Sequence, residues 1–141
     1  MSLLNDRGEV AVIDVGQHSV MELPMHGLNA LVVEEEYLVA ADIEQILRTA
    51  GAANVTIEKD VEAARALDFS GLALAVIEAK FGSAEAVALC AALRAARVPV
   101  VVTSADAAVQ ALFTGATPLA KPFDTETLLA ACAAARQAHA R

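Results

Sequence analysis

The stretch LNALVVEEEYLVAADIEQIL, residues 28–47, decides the predicted fold. It begins with an almost wholly apolar run, 28–33, which is typical of a strand buried on both faces of a sheet. Three carboxylates follow directly, Glu34 to Glu36. Apolar side chains then recur at helical spacing over 37–50, and Gly51 closes that segment. The pattern predicts a buried strand, an acidic turn and an amphipathic helix.

The same alternation of strand and helix continues to the end of the chain. The further predicted strands are 54–58, 72–77, 98–103 and 117–120, and the further predicted helices are 60–67, 83–96, 105–113 and 125–137. Asp60, Ser83 and Asp124 are the residue types that cap helix N-termini. Apolar strands that alternate with helices indicate a parallel sheet covered on both faces. Right-handed crossovers then predict a doubly wound, three-layer α/β sandwich with five parallel strands.

The first 27 residues differ from this repeat. EVAVIDV, residues 9–15, alternates apolar and polar side chains well enough to predict an extra strand. Residues 16–27 contain glycines and a proline, which are typical of a linker. We therefore divide the chain into an N-terminal extension or linker, 1–27, and a domain, 28–141.

Composition excludes several classes of function. The chain has 141 residues, 57% of them hydrophobic, and a net charge of −8. That charge disfavours binding to nucleic acid or to an anionic membrane surface, both of which need basic side chains. No apolar run is long enough to span a bilayer, and residues 1–8 are too polar for a signal peptide. Cys90 and Cys132 lie in alanine-rich helical contexts and are expected to be buried thiols. We expect a reduced, cytoplasmic protein.

Polar residues end or directly follow four of the predicted strands. They are Glu34, Glu35, Glu78, Thr103 and Lys121. Because the carboxyl ends of parallel strands meet at one edge of a sheet, these side chains are expected to lie together. Carboxylates suit Mg²⁺, a hydroxyl and an ammonium suit phosphoryl oxygens, and a carboxylate can accept a phosphoryl group. The pattern predicts a phosphoryl-accepting or phosphoryl-mimicking site.

The chain from residue 28 to about 138 resembles a response-regulator receiver domain of bacterial two-component, or phosphorelay, signalling. Four motifs carry the resemblance in order: LVVEEEYLVAADIEQIL (31–47), LALAVIEA (72–79), VPVVVTSA (98–105) and LAKPF (119–123). The resemblance implies a flavodoxin-like, CheY-like fold and Mg²⁺-dependent aspartyl phosphorylation by a histidine kinase. It implies a signalling module and not an enzyme, with no catalytic residues. It also implies that the Lys121–Pro122 peptide bond is cis.

This sequence departs from the receiver pattern at the acidic residues. By resemblance, Glu78 stands where the family has the phosphoacceptor aspartate. Glu34 and Glu35 stand where the family's metal-binding pair holds at least one aspartate. The longer side chains predict a poor acceptor and weak or absent Mg²⁺ binding, since Mg²⁺ demands near-ideal octahedral geometry. Lys121 is expected to pair with Glu78 or Glu35 instead.

The switch elements of the receiver pattern are also incomplete. Thr103, the family's switch threonine, is retained, but Lys121 follows it by only 18 positions, which predicts a short fourth helix. Pro118 occupies the position of the family's switch aromatic, and a proline ring cannot swing as Tyr or Phe does. The usual threonine-to-aromatic relay is therefore expected to be broken.

Three functions compete at this point. The first is a degenerate receiver, or pseudo-receiver, that acts through contacts with a histidine kinase or another signalling protein, or as a homodimer. The second is a working Mg²⁺-dependent phosphoacceptor. The third, a flavodoxin-like enzyme or nucleotide-binding protein, has no support, because no glycine-rich phosphate loop follows the first strand and no Ser–His–Asp or Cys–His set is apparent. Whether the receiver stands alone or belongs to a hybrid kinase stays open.

Overall fold

The computed structural model describes residues 23–140, apart from the side chains of Phe81 and Ala140, and contains one five-stranded parallel sheet. The strands are β1 (Asn29–Val33), β2 (Asn54–Glu58), β3 (Leu74–Glu78), β4 (Val100–Ser104) and β5 (Thr117–Ala120). Their order in the sheet is β2-β1-β3-β4-β5, so the strand order reverses between β1 and β3. The predicted three-layer, doubly wound α/β architecture is confirmed.

A helix follows each strand. The helices are α1 (Tyr37–Thr49), α2 (Val61–Arg65), α3 (Ala84–Ala95), α4 (Ala107–Gln110) and α5 (Thr125–Ala140), and a 3-10 turn, Lys80–Gly82, precedes α3. The predicted caps are confirmed: the side chains of Asp60, Ser83 and Asp124 each accept a hydrogen bond from the backbone N–H three residues on. These bonds satisfy N–H groups that a helix itself leaves unpaired.

Helix α4 is a single turn, and the predicted helix 105–113 is wrong in its length. The side chain of Phe113 is only 3% exposed and belongs to the core. Its N–H donates to the Gln110 carbonyl at 3.1 Å, in the tighter i→i+3 pattern. The chain leaves the helix at Gln110, which places this ring in the core.

Two apolar clusters cover the two faces of the sheet. One joins the sheet to α1 and α5; its larger buried members include Val32, Ile43, Leu47, Val76 and Leu128. The other joins the sheet to α2 and α3; its larger buried members include Leu31, Ile77, Leu89, Leu93 and Phe113. Each cluster holds one of the two cysteines, both buried as predicted. Alternation along each strand therefore decides which face a side chain joins.

The described chain begins with a tight turn, residues 23–27, against the C-terminal end of α1. The Met25 N–H donates to the Ala50 carbonyl at 2.8 Å, and the Gly27 N–H donates to the Gly51 carbonyl at 2.9 Å. The Met25 side chain is 2% exposed and belongs to the α1/α5 core. The division after residue 27 stays a prediction, but Met25 packs in the core and not in a linker. The predicted strand 9–15 lies outside the described residues.

Gly51 is required where this turn meets α1, which gives a first prediction. Its φ is +110°, and a Cβ there would lie 2.8 Å from the His26 Cα. Gly71 also has a positive φ, +85°, but open space around it. We expect Gly71→Ala to cost about 1 kcal/mol from backbone strain alone. Gly51→Ala adds a backbone clash and should cost about 3 kcal/mol. Urea denaturation of both variants measures this; equal losses would contradict the packing of residues 23–27.

Candidate functional site

Alternation at the strand ends separates the two neighbouring glutamates. Val32 faces the α1/α5 core, so two residues later Glu34 turns to the same side. Its N–H donates to the Glu58 carbonyl at 3.0 Å, which continues the β1–β2 ladder, and its side chain is almost fully buried. Glu35 is exposed and forms an ion pair with Lys80. The predicted acidic pair is thus divided between two places.

Lys121 is the centre of the buried part of the site. Its Nζ lies 3.4 Å from Glu34 Oε1 and 3.5 Å from Glu78 Oε2. Its backbone N–H donates to the Ser104 carbonyl at 3.0 Å, which fixes the lysine just beyond β5. The peptide bond to Pro122 is cis, as the resemblance implied. The expected pairing of Lys121 with Glu78 is confirmed, and its second partner is Glu34 and not Glu35.

The Glu34 carboxylate uses both of its oxygens. Oε1 faces Lys121, and Oε2 accepts the Glu36 backbone N–H at 3.1 Å. Glu36 is the N-cap residue of α1, and its own side chain makes no capping hydrogen bond. Glu34 therefore ties the first strand, the start of α1 and the end of β5 together. This accounts for a carboxylate with 3% exposure at the end of an apolar strand.

Glu78 carries an unfavourable charge despite its lysine. Burial is the main cause that raises its pKa above the usual range, and the nearby Glu34 carboxylate raises it further. Lys121, and more weakly Lys80, oppose that shift. The residue ends β3, the central strand, in register with Thr103 on β4. Ionisation of the Glu78 carboxyl therefore costs more free energy in the folded protein than in the unfolded chain.

Thr103 lies in register with Glu78 and places a buried hydroxyl at the same edge of the sheet. The residue is 1% exposed, and its Oγ1 has no hydrogen-bond partner among the residues that the structure describes. A buried, unsatisfied hydroxyl costs free energy, on the order of 1–3 kcal/mol. Because Thr103 lies beside the strand end that carries Glu78, its hydroxyl can donate a hydrogen bond to an oxygen atom that enters the site.

An open cleft on the opposite side of the sheet edge holds the exposed part of the site. Its volume is about 240 Å³, and its lining includes Glu35, Glu78, Lys80 and Ser83. The hydrogen bond from Lys80 to Glu35 raises the pKa of the lysine. The sequence analysis missed Lys80, although a lysine two residues after Glu78 was a visible signal that a second cation lies close to the carboxylates.

The carboxylates at this edge of the sheet lie beside lysine side chains. Among residues 23–140, no three His, Cys, Asp or Glu side chains form a group that could hold a metal ion. Lys121 lies beside Glu34 and Glu78, and Lys80 pairs with Glu35. The chain's own ammonium groups supply the positive charge that a cation would otherwise bring to these carboxylates.

Two features at the rim concern the switch elements. Gly82, in the 3-10 turn after β3, has a φ of +57°, and a Cβ there would lie 2.7 Å from Leu112 Cδ1 just beyond α4. The turn therefore lies directly against the α4 segment.

Pro118 is exposed on the edge strand β5, opposite Val102 of β4. A proline is tolerated there because an edge strand does not need every N–H.

The comparisons with known proteins come from structure alone. No protein-family description and no curated protein sequence matches the chain. Solved structures do match. A response regulator from Thermotoga maritima aligns over 79% of this chain and 98% of its own, with 23% identity and a TM-score of 0.65. The fold is that of a receiver domain.

Two further structures agree. A response regulator receiver domain protein from Clostridium thermocellum aligns over 78% of this chain and 94% of its own, with 17% identity and a TM-score of 0.64. The signal receiver domain of an HD domain-containing protein from Pseudomonas fluorescens Pf-5 covers 91% and 96%, with 16% identity and a TM-score of 0.66. At these identities the likeness concerns the receiver fold, and the chemistry has to be argued from the residues.

Removal of the central lysine gives a second prediction. Lys121→Met leaves the buried Glu34 carboxylate without its cation, and a broken buried pair is strongly destabilising. Because Lys121 is 24% exposed, we expect a discounted loss of about 2 kcal/mol at neutral pH. Lys80→Met is the matched control: its pair with Glu35 is exposed to solvent, so a clearly smaller loss is expected. Urea titrations at neutral pH compare the two, and similar losses would rule out a special role for Lys121.

The raised pKa of Glu78 gives a third prediction. Its folded-state pKa lies above its unfolded value of 4.5, so its protonated form favours the fold below that value. This contribution is lost as the pH rises through the folded-state pKa. Glu78→Gln removes the titration. We expect its stability relative to the wild type to improve from about pH 4 to about pH 8. Denaturation curves across this range measure it, and a constant difference would show that Glu78 titrates normally.

Proposed function

We propose that this protein is a degenerate receiver, a signalling module that acts through protein contact and not through turnover of a phosphoryl group. The observation that supports this most directly is the position of Lys121, whose ammonium lies within 3.5 Å of both Glu34 and Glu78. In this arrangement Glu78 is a fixed charge at the end of the central strand, held by the chain's own cation. The resemblance of the motifs and the receiver fold supply the context.

The acceptor chemistry is expected to be weak for a geometric reason. Glu78 has one methylene more than the aspartate expected at this position, and a displacement of about 1 Å can lower the rate of a positioned reaction by on the order of 10²-fold. Its oxygen is also engaged by Lys121. We propose that Glu78 accepts a phosphoryl group poorly or not at all.

The metal proposal follows from the same contacts. When bound, Mg²⁺ would supply positive charge to phosphoryl oxygens, and Glu34, Glu35 and Glu78 are the residues available to hold it. Each of these carboxylates already lies beside an ammonium group. We propose that this protein binds Mg²⁺ weakly or not at all.

One observation favours the alternative, a working Mg²⁺-dependent phosphoacceptor. The Thr103 hydroxyl is buried, has no partner within the described part of the chain, and lies in register with Glu78. An incoming phosphoryl oxygen would give this donor its missing acceptor. In the alternative, a Glu78 carboxylate oxygen leaves Lys121 and bonds to the phosphorus atom. The bond from phosphorus to the donor, the histidine nitrogen of a kinase or the acetate oxygen of acetyl phosphate, breaks, and its electron pair stays with the departing donor.

The proposed partners are a histidine kinase or another signalling protein, or a second copy of the chain. The net charge of −8 opposes binding to nucleic acid and to anionic membrane surfaces. Among the described residues, no helix has the length and apolar character needed to cross a membrane. We propose that the protein works in the cytoplasm.

The fourth prediction tests the function directly. Wild type, Glu78→Asp and Glu58→Asp are incubated with acetyl phosphate and Mg²⁺, and the intact mass of each is measured. Glu58→Asp makes the same change at the end of β2 and controls for phosphorylation of an aspartate outside the site. We expect a phosphoryl mass on Glu78→Asp alone, because the shorter side chain restores the reach of an aspartate.

The other outcomes of that experiment are equally informative. A phosphoryl mass on the wild type would overturn the degenerate receiver in favour of the working phosphoacceptor. No gain on any of the three proteins would place the loss of chemistry in Glu34 and Glu35 as well. Protein contact would then remain as the function.

A further inference from the structure

A groove runs between α1 and the start of α5, on the face of the sheet that carries Lys121. Its volume is about 580 Å³, and its apolar lining includes Leu23, Ile46, Phe123 and Leu129. Beyond Asp42 and Phe123, which line both hollows, it continues into a second hollow of about 610 Å³. That hollow reaches Leu38 at the start of α1, a side chain that is 80% exposed, and Lys121 itself. The two hollows together run along α1 from Glu36 to Ala50, next to the site, and their lining mixes apolar with polar and charged side chains.

The described chain starts inside this groove. Leu23 and Pro24 form part of its wall. The next residues are fixed by the backbone hydrogen bonds of Met25 and Gly27 to the C-terminal end of α1. The turn passes so close to Gly51 that a Cβ at that position would lie 2.8 Å from the His26 Cα. The first described residues of the chain therefore lie at the groove, in a turn that is held by backbone hydrogen bonds.

We infer that residues 9–15, EVAVIDV, occupy this groove within the same molecule. In the sequence pattern Val10 and Val12 lie on one side of an extended segment and Ala11, Ile13 and Val15 on the other, so either side offers apolar groups. Extended, the seven residues span about 23 Å. Helix α1, with 13 residues, spans about 20 Å. The groove and the segment match in length and in apolar character.

The connection is long enough. Residues 16–22 number seven and reach at most about 25 Å when extended. That allows the chain to turn back from Leu23 and lay 9–15 along α1. Tethering also raises the effective concentration of the segment to the millimolar range, so a weak apolar contact suffices. A free partner or a second copy of the chain lacks this advantage at ordinary protein concentrations.

Charge opposes this contact, because the groove and the segment are both acidic. Asp42 and Asp124 line the groove, and the segment itself carries Glu9 and Asp14. The apolar side chains therefore carry the contact, which should persist when salt is raised. The occupied groove covers the surface next to Lys121, so the extension competes with any partner that docks between α1 and α5. The inference is independent of phosphoryl chemistry at Glu78.

The test measures how accessible the groove is in the full chain. Gln45, an exposed residue of α1 in the groove wall, is changed to cysteine, and its alkylation rate is followed by peptide mass mapping. The same Gln45→Cys protein is then combined with Val12→Asp and Ile13→Asp, which put one carboxylate on each side of the segment. Glu62→Cys, on α2 across the sheet, serves as the control site. The native Cys90 and Cys132 are buried and common to all the proteins.

Docking predicts that the two aspartates speed alkylation at position 45 about fivefold or more, with no change at position 62. Sedimentation at the labelling concentration should show a monomer. Equal rates at position 45 with and without the aspartates would overturn the inference. Protection that appears only in a dimer and weakens on dilution would also overturn it, and would identify a second copy as the occupant. The aspartate variants leave Glu78 intact, so the phosphorylation assay reports on the site separately.

Discussion

The ion pairs between Lys121 and two carboxylates are the constraint on which the carboxyl edge of the sheet depends. Glu34 is almost fully buried, and a buried carboxylate without a cation is very costly. The lysine that compensates it comes from just beyond β5, a strand of four residues at the sheet edge. The hydrogen bond from its backbone to Ser104 holds it there. The short edge strand β5 is thus held to the middle of the sheet by ion pairs as well as by its backbone hydrogen bonds to β4.

Two lysines lie among the three carboxylates of the site, because Lys121 is shared by Glu34 and Glu78. Each of the three carboxylates has a lysine beside it, yet the Thr103 hydroxyl has no acceptor among the described residues. Lysines that already pair with the carboxylates favour a site that stays as it is, and a hydroxyl without an acceptor favours a site that can take up an oxygen. The two features point to different functions, and for that reason the length of one side chain, Glu78, decides between the proposals.

Local signals predicted most of the fold. Apolar runs and capping residues placed the strands and the helix starts within a few residues, because both depend on neighbours in sequence. Helix α4 was predicted too long because the burial of Phe113, a tertiary contact, ends it. At the site, strand ends identified Glu34, Glu78, Thr103 and Lys121. Glu35 was predicted to lie with Glu34, whereas alternation at the strand end turns the two side chains apart. The partner of Glu35, Lys80, lies in a 3-10 turn, which has no periodic sequence signal.

The contact between the 3-10 turn and Leu112 has a mechanical consequence. The turn begins at Lys80, and at Gly82 it packs against Leu112, just beyond α4. Leu112 is 53% exposed and so is open to contact from outside. A partner that binds at Leu112 therefore contacts a side chain that packs against the turn. The same turn carries Lys80, the counter-ion of Glu35. The outer surface of α4 and the charge at the sheet edge are thus connected through the Leu112 side chain and the short turn that carries Lys80.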